Sequence, residues 1–349
     1  MSAFIFMEII KDLTAPLRFK NPVVTIGNFD GVHIGHQKIF KQVVDKAGEM
    51  NGTPIAITFN PHPVRVLAPE RGLKMLNAIG DKRELIARMG IKVLICISFD
   101  REFAHTGPDD FIRKILVEKL GAQWVIVGHS YSFGKGKKGT TAMLRARGRK
   151  YGFKVNVVRY ATVDDDVVSS SRIRSLVLRG RVCEASRMLG RAYHIEGTVI
   201  KGAGRGGPLL HTPTANISTP NELIPKEGVY AVRISFGERL EAMGYGQRTG
   251  YEKGISPLAY CPSPPACGVY DGVANIGKNP TFENNRMSYE VHIFDFSRNI
   301  VGERLRLHFI DRIRDEKKFS GIKELEESIH RDIEKAKDIL SKRRDPLFL

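Results

Sequence analysis

The chain has 349 residues, with 55 lysines and arginines against 38 aspartates and glutamates, so its formal net charge is +17 at pH 7. This length is sufficient for two hydrophobic cores. No run approaches the roughly 18 apolar residues of a membrane-spanning helix. The basic residues are spread along the chain and no nucleic-acid-binding motif occurs, so we expect phosphorylated small molecules as partners, without a membrane or a nucleic acid.

The cysteines and the N-terminus indicate a cytoplasmic protein. The four cysteines form neither a CxxC pair nor a disulfide framework, which favours a reducing compartment. The first residues, MSAFIFMEIIKDL, lack the basic start and cleavage site of a signal peptide and are predicted to form a first strand. The sequence leaves the oligomeric state open.

A glycine-rich turn between a strand and a helix is the most informative segment. Residues 23–37 read VVTIGNFDGVHIGHQ, in which an apolar strand precedes three glycines and two histidines. The glycines at positions 27, 31 and 35 permit positive φ and a close approach of the backbone to a ligand. His33 and His36 are three residues apart, so both imidazoles lie on one side of the first helical turn. Because helix N-termini attract anions, the pattern predicts a phosphate site.

The chemistry predicted for this turn is nucleotidyl transfer. No Lys-Ser or Lys-Thr follows the glycines, so the segment is not a P-loop. An ionised phosphate that attacks a nucleoside triphosphate needs no general base, and catalysis consists of alignment and charge stabilisation. The structural alternative is that His33 belongs to the turn and His36 to the helix, each satisfied by an ordinary hydrogen bond.

A second segment, VVSSSRIR at residues 167–174, precedes another predicted helix. Ser169, Ser170 or Ser171 is expected to cap that helix. Serine hydroxyls, helix-start amides and the guanidinium groups of Arg172 and Arg174 suit a triphosphate. An ordinary capped helix with solvated arginines is the alternative.

Beyond about residue 190, short alternating strands indicate an antiparallel barrel or sandwich, ending in an amphipathic helix near residues 321–340. Glu290 lies among apolar strand residues, where a carboxylate is costly unless it is paired or used. It is a candidate general base for a neutral hydroxyl that attacks a γ-phosphate, or else an outward residue of a half-exposed strand. Thr214 and Asn216 are plausible ligands for Mg²⁺ and phosphate.

Together these motifs resemble two known modules in a fixed order. GNFDGVHIGH, TFNPHP, FGKGKKG and SSSRIR resemble the FMN adenylyltransferase module of bacterial bifunctional FAD synthetases, members of the HxGH nucleotidyltransferase superfamily. PTAN, GVYAV, GVANIG, YEVHIFDF and RDEKKF resemble the riboflavin kinase module of the same enzymes. The resemblance implies a Rossmann-like α/β nucleotidyltransferase domain with a parallel sheet at residues 1–186. It implies a six-stranded antiparallel β-barrel domain with a C-terminal helix at residues 187–349.

The reactions implied by the resemblance are phosphorylation of riboflavin to FMN and adenylylation of FMN to FAD, with ATP as co-substrate, Mg²⁺ as cofactor and pyrophosphate as product. The implied catalytic residues are His33, His36 and Glu290. The implied nucleotide ligands of the adenylyltransferase are Gly27, Phe29, Asp30, Gly35, Ser170, Ser171 and Arg172. Those of the kinase are Gly202, Thr214 and Asn216, of which Thr214 and Asn216 also hold Mg²⁺ with the ATP phosphates. The implied flavin ligands are Pro61, His62, Ser130, Arg312 and Arg314.

Three departures from the family pattern stand out. Ser130 replaces an Asp or Asn, and the loop Gly206–Thr212 has lost the usual arginine and Leu-Gly-Phe. The loop change leaves open a monofunctional FMN adenylyltransferase with an inactive kinase, and a non-catalytic flavin- or RNA-binding protein is the alternative from another class. Residues 245–270 replace a short hairpin, and their Gly, Pro and Tyr content predicts a long loop without regular structure. That loop is either a tolerated insertion or a lid.

Overall fold

The computed structural model describes residues 5–11, 13, 16–201, 214–236, 255–260, 268–278 and 287–343. Contacts divide them into two units. The first contains the described residues of Met1–Lys74, Ile79–Val168 and Ala242–Ser263, and the second those of Met75–Ala78, Ser169–Glu241 and Pro264–Leu349. The sequence places the boundary after residue 186, whereas the contacts group residues 169–186 with the second unit, since the helix Val182–Leu189 packs on a barrel strand.

The first unit is an α/β domain. Its sheet strands are β1 (Ile5–Ile10), β2 (Val23–Ile26), β3 (Pro54–Asn60), β4 (Val93–Ser98), β5 (Trp124–Gly128) and β6 (Lys154–Val158), followed by a small hairpin of β7 (Thr162–Val163) and β8 (Asp166–Val167). Its helices are α1 (Ile34–Glu49), α2 (Pro63–Leu67), α3 (Ile79–Arg88), α4 (Pro108–Asp110, continued by a π-helix at Phe111–Lys119) and α5 (Thr141–Tyr151).

The six strands β1 to β6 are parallel and run in the order β1-β4-β3-β2-β5-β6. Ile55, Ile57, Ile95, Val125 and other apolar residues of these strands are buried in one core, as near-continuous apolar strands require in a sheet covered on both faces. The chain turns from one side of the sheet to the other between β2 and β5. Such a switch point is where open parallel sheets bind ligands, beyond the carboxyl ends of the strands.

The insertion at residues 245–270 corrects one prediction, because part of it is regular structure. Its residues Ile255–Tyr260 form strand β12, which pairs antiparallel with β1 in the register Ile5–Tyr260 to Ile10–Ile255. The first sheet therefore has seven strands. A free edge offers unpaired N–H and C=O groups that favour strand addition, and Pro257 is tolerated because β12 is itself an edge strand. The prediction of a long loop without regular structure, made from the Gly, Pro and Tyr content, was therefore wrong for Ile255–Tyr260.

In its described residues, the second unit is a closed antiparallel barrel with three helices. The strands are β9 (Tyr193–Ile200), β10 (Ala215–Ser218), β11 (Gly228–Phe236), β13 (Val269–Lys278), β14 (Met287–Ile293) and β15 (Arg304–Arg314), in the cyclic order β10-β14-β13-β11-β15-β9. The helices are α6 (Ser170–Leu178), α7 (Val182–Leu189) and α8 (Ile322–Lys342). This confirms the predicted six-stranded barrel and its C-terminal helix.

Helix α8 packs on the barrel through the stripe that its sequence predicts. Ala336 and Leu340 are buried in one cluster with Val229, Ala231 and Ile310 of the strands. Ile322, at the start of the stripe, is 59% exposed, so packing begins about one turn into the helix. Within the part of the chain that the structure describes, no helix has the length and apolar character needed to cross a membrane.

Candidate active sites

Three of the predicted segments follow neighbouring strands of the first sheet. The histidine turn follows β2, the TFNPHP segment runs through the end of β3, and Ser130 comes two residues after β5. Because β3, β2 and β5 are adjacent and parallel, these segments leave the same edge of the sheet. The topology therefore places the histidines between the two sides from which the implied flavin ligands arise.

The histidine turn has an unusual backbone. Phe29, Gly31 and Val32 have φ values of 51°, 83° and 42°. Positive φ is costly for a β-branched residue such as Val32, about 1–3 kcal/mol, and persists only where the surroundings impose it. At Gly27, a Cβ would lie 2.9 Å from the buried Phe29 ring, so the turn accepts no side chain there. The backbone conformation is held in place by packing.

His33 and His36 lie against each other at the start of α1. His33 is the N-cap, and its Nδ1 accepts a hydrogen bond from the His36 backbone N–H at 3.4 Å. The two rings are stacked, with centroids 3.6 Å apart and an angle of 17° between their planes. The expectation that a spacing of three places both imidazoles on one side of the helix is confirmed.

His36 is held neutral by its surroundings. Burial is the main cause that lowers its pKa well below the usual 6.5, and the neighbouring His33 and Lys82 lower it further. Nδ1 of His36 is buried and has no hydrogen-bond partner among the residues that the structure describes. A buried polar atom without a partner calls for an explanation, and a ligand bound beside the turn would provide one.

Lys82 of α3 lies next to the same turn and is only 4% exposed. Its Nζ donates to the carbonyl oxygen of Asn28 and to Oγ1 of Thr58, both at 3.2 Å. The Thr58 hydroxyl in turn donates to the Asn28 carbonyl, also at 3.2 Å. Burial lowers the pKa of Lys82, while Cys96 and the buried Asp30 act to raise it. A cation thus lies within the fold beside the turn.

The SSSRIR segment begins helix α6 in the second unit. Ser169 is the N-cap, since its Oγ accepts from the Arg172 backbone N–H at 3.2 Å. Ser170 is half-buried, while the side chains of Ser171 and Arg172 are exposed. The structure thus chooses Ser169 among the three serines that the sequence left open.

The implied flavin ligands of the first unit are accessible. Pro61 is exposed and follows Asn60 through a cis peptide bond. His62 caps α2, with its Nδ1 accepting from the Val64 N–H at 3.2 Å. Ser130 is exposed. Pro61 and His62 thus extend β3, while Ser130 extends β5, on either side of the histidine turn.

The second site is a cavity of about 240 Å³ in the barrel unit. Thr214, Val229, Val273, Asn275, Glu290, His292, Arg314, Glu316, Lys317, Phe319, Leu325, Ile329 and Asp332 line it. Strand register brings four of them together, since Glu290, Asn275, Val229 and Arg314 are successive partners across β14, β13, β11 and β15. Asn216 of β10 is the partner of Glu290 on the other side but is not a lining residue. Directly opposed residues of antiparallel strands share a face. Asn216 and Glu290 are therefore cross-strand neighbours.

Glu290 is half-buried, and the Ser288 hydroxyl donates to its Oε1 at 3.3 Å. Val291 and Ile293, on the opposite face of the strand, are buried in the barrel, while Glu290 and His292 line the cavity. This confirms the predicted alternation and excludes Glu290 as a fully solvated residue. The hydroxyl, amide and carboxylate oxygens of Thr214, Asn216 and Glu290 are the donor types that Mg²⁺ prefers.

The two implied flavin ligands of β15 are placed differently. Arg314 lines the cavity and pairs with Asp332 of α8, with Nε and Nη2 donating to its carboxylate at 2.7–3.0 Å. Arg312 is not among the cavity-lining residues. Its guanidinium donates to the hydroxyl of Tyr230 at 3.2 Å, to the carboxylate of Asp315 at 2.8 Å, and to the carbonyl of Glu227.

Several predictions fall outside the described residues. They are Gly202, the loop Gly206–Thr212 and the parts of the 245–270 insertion other than Ile255–Tyr260 and residues 268–270.

The structure adds residues that sequence reasoning missed. Lys82 lies in an ordinary-looking amphipathic helix, and nothing in that sequence distinguishes it. Asn275 belongs to the GVANIG motif, so the resemblance carried a signal. Its Oδ1 is buried and has no hydrogen-bond partner in the described part of the chain. Asp332 of α8, the partner of Arg314, is separated from it by a loop and has no motif of its own.

Comparison with known proteins identifies both modules. A family model described as FAD synthetase matches residues 16–172, and one described as riboflavin kinase matches residues 189–340. A "Bifunctional riboflavin kinase/FMN adenylyltransferase" of Haemophilus influenzae is 33% identical over 332 residues, covering 95% of this chain and 98% of the relative. Its namesake in Bacillus subtilis is 34% identical over 320 residues, covering 90% and 91%.

A solved structure with the same fold carries a different name. A crystal structure titled "Macrolide-efflux Protein", from Streptococcus pneumoniae, superimposes with a TM-score of 0.78 at 27% identity, covering 96% of this chain and 99% of that one. The similarity extends over both units and not over one module alone. The two family models and the full-length relatives lead to one conclusion: this chain belongs to the family of bifunctional riboflavin kinases/FMN adenylyltransferases.

Proposed function

We propose that the chain phosphorylates riboflavin at the barrel cavity and adenylylates the resulting FMN at the histidine turn. ATP is the second substrate of both reactions. The first gives FMN and ADP, and the second gives FAD and pyrophosphate. The observation that carries this proposal is the presence of two chemically different sites on one chain. One has two stacked imidazoles, of which His36 is held neutral, and the other has a carboxylate among oxygen ligands.

In adenylyl transfer, the FMN phosphate is already ionised and attacks the α-phosphorus of ATP, so no general base is needed. His33 and His36 donate hydrogen bonds to the oxygens of the transferring group, where negative charge accumulates. The lowered pKa of His36 supports this role, because a neutral imidazole keeps one N–H donor across the physiological pH range. Gly27 and Gly35 leave space for the nucleotide, with Phe29 and Asp30 forming the turn around it.

The remaining adenylyltransferase roles follow the resemblance. Ser170, Ser171 and Arg172 at the start of α6 bind the outer phosphates of ATP, since hydroxyls, helix-start amides and guanidinium groups all favour such anions. Pro61, His62 and Ser130 contact the flavin. The side chain of Ser130 is shorter than the family's Asp or Asn but can still donate one hydrogen bond and accept one.

In the kinase reaction, the attacking group is the neutral 5′-hydroxyl of the ribityl chain, which benefits from a base. Glu290 accepts that proton as the oxygen attacks the γ-phosphorus of ATP, whose bond to the β–γ bridging oxygen breaks to release ADP. Thr214, Asn216 and Gly202 bind the nucleotide. The oxygen-rich set of Thr214 and Asn216 fits Mg²⁺, which supplies charge neutralisation at the phosphate oxygens when it is bound.

Arg314 and Arg312 are proposed flavin ligands of the kinase. The position of Arg314 in the cavity wall, held by Asp332, supports the first assignment. Arg312 donates hydrogen bonds to Tyr230, Glu227 and Asp315 and does not line the cavity. A contact between Arg312 and the flavin would therefore lie outside the cavity wall. We further propose a cytoplasmic location, where riboflavin and ATP are both available.

A chromatographic flavin assay of the purified protein with Mg-ATP tests the proposal. Parallel reactions start from riboflavin and from FMN. Conversion of riboflavin through FMN to FAD is the expected result. FAD from FMN alone would instead identify a monofunctional adenylyltransferase with an inactive kinase, an alternative that none of the comparisons favours. No product from either flavin would contradict both activities.

A further inference from the structure

Burial of Lys82 is unfavourable for the stability of the fold. A buried ammonium loses most of its hydration, and an apolar residue of similar volume often gives equal or higher stability. Two hydrogen bonds, to Asn28 and Thr58, and the nearby Asp30 and Cys96 compensate this loss, but burial is the largest effect and lowers the pKa of Lys82. A charge that is kept despite this unfavourable burial, beside a predicted phosphate site, is a candidate for a functional role.

The contacts of Lys82 converge on one backbone group. The carbonyl of Asn28 receives hydrogen bonds from both Lys82 Nζ and Thr58 Oγ1. Asn28 is the residue between Gly27 and Phe29, where the chain leaves β2 and enters its run of positive φ. Whatever fixes this carbonyl also fixes the direction in which the following residues leave the sheet.

Lys82 also influences the histidines through its charge. Its ammonium is one of the causes that lower the pKa of His36, together with burial and His33. The charged and titratable groups facing His36 are thus His33, from the helix cap, and Lys82, from α3. On the other side of His36, the aromatic ring of Phe29 packs edge-on with centroids 5.3 Å apart and carries no charge.

We propose that Lys82 is a positioning residue for adenylyl transfer, whose buried ammonium holds the Asn28 carbonyl and the Thr58 hydroxyl and thereby orients the turn that presents His33 and His36. Lys82 acts through the backbone and needs no contact with the substrates. Its charge additionally keeps His36 in the neutral form that serves as a donor. The inference rests on the proposed role of the two histidines.

The decisive variant is Lys82→Met, which keeps the length of the side chain but removes the charge and the donors. We expect kcat for FMN adenylylation to fall by about 10- to 100-fold with little change in KM for FMN, because small displacements of catalytic groups have effects of that size. The acidic limb of the kcat–pH profile should move to higher pH, since one charge that opposes protonation of His36 is gone. Riboflavin phosphorylation by the same preparation should be unchanged.

Lys92→Met is the matched control, because Lys92 is exposed and precedes β4 in the same unit. Thr58→Val is the second variant: it removes one contact of Lys82 and keeps the charge. It should lower kcat by a smaller factor and leave the acidic limb in place. If Lys82→Met does not fold, as judged by the unfolding transition of Trp124 fluorescence, the Thr58→Val result decides.

Wild-type kcat and an unshifted pH profile in Lys82→Met would overturn the inference. Wild-type kcat in Thr58→Val would overturn it as well if Lys82→Met is unfolded. The proposed role of the histidines has its own test, since His36→Ala must lose adenylylation whatever Lys82 does. Activity retained in His36→Ala would therefore refute the proposed function, while activity retained only in the Lys82 and Thr58 variants would refute the positioning role.

Discussion

The two sites of this chain are assembled in different ways. In the first unit, His33 and His36 lie within one turn, and the distinctive feature is a backbone conformation held by buried groups such as Phe29 and Lys82. In the second unit, Glu290 and its neighbours come from separate strands and are aligned by the register of a barrel. The geometry of the histidine turn therefore depends on the buried residues that pack against it. The geometry of the cross-strand row depends on the hydrogen-bonded register of the strands, which does not require any one of its polar side chains.

Glu290→Gln is the variant for which we expect the largest change in activity. The amide keeps the shape of the side chain and cannot accept the ribityl proton, so phosphorylation of riboflavin should fall by about 10²–10⁴-fold. FAD formation from supplied FMN should stay at the wild-type rate, because the barrel row does not shape the histidine turn. Separate assays with riboflavin and with FMN measure both effects.

Glu327→Gln provides the control for that variant, since Glu327 is an exposed residue of α8. Loss of both reactions in a folded Glu290→Gln protein would refute independent sites.

His36→Ala is the corresponding test of the first unit. Removing one donor to the transferring phosphoryl group should lower FAD formation from FMN by about 10²–10³-fold. Riboflavin phosphorylation should continue, so FMN should accumulate in the coupled assay. His105→Ala, at an exposed histidine of the same unit, should change neither reaction. Accumulation of FAD at the wild-type rate in His36→Ala would remove the histidines from the mechanism.

What could be predicted from the sequence follows from the same contrast. The strand, the start of the helix and the two stacked histidines are encoded within fifteen consecutive residues, so spacing predicted their arrangement. The barrel was predictable from alternation, as at Val291 and Ile293, whose burial leaves Glu290 on the other face. The resemblance added the roles of the individual residues.

The rest depends on contacts between distant segments. Lys82 is 54 residues from the carbonyl that it holds, and no local pattern predicts that pair. Arg314 meets Asp332 across a strand–helix connection. Strand β12 was predicted to be loop because its composition contains turn-forming residues, but the decisive factor was the free edge of β1, a property of the whole sheet.

Gly35→Ala sharpens the comparison at a smaller scale. A Cβ at this position would lie 3.2 Å from Cε1 and Nδ1 of His33, so the ring must shift slightly. Adenylylation should fall by about tenfold, because catalysis depends on the placement of the ring. Alanine favours the helix by roughly 1 kcal/mol over glycine, so thermal stability should not decrease. Enzyme assays and a thermal melt of the same protein measure the two effects.

A decrease in both activity and melting temperature would show that the site is sensitive to packing in general. A decrease in activity alone would show that the His33 ring has a specific position. The described cross-strand row of the barrel contains no glycine that packs against a catalytic ring. Among the described residues, the sensitivity of activity to a glycine substitution should therefore be confined to the first unit.

The smallest expected effect is on the pH dependence of stability in the two units. The pKa of His36 is lower in the folded chain than its ordinary 6.5, so below about pH 6.5 the unfolded chain binds a proton that the folded chain does not. Stability of the first unit should therefore fall with decreasing pH by at most about 1.4 kcal/mol per pH unit from this residue, and should not depend on it above pH 7. Urea unfolding at pH 7.5, 6.5 and 5.5 measures the slope.

Trp124, the single tryptophan of the chain, lies in β5 and makes its fluorescence a reporter of the first unit. In His36→Ala the slope below pH 6.5 should become shallower, and an unchanged slope would contradict the assignment. The barrel should behave differently. Asp315 has a pKa held below its usual range by Arg312 and Lys226, so its contribution is present above pH 3.8 and is lost only at lower pH. Between pH 7 and pH 5, acidification should therefore remove the contribution of His36 while that of Asp315 is retained.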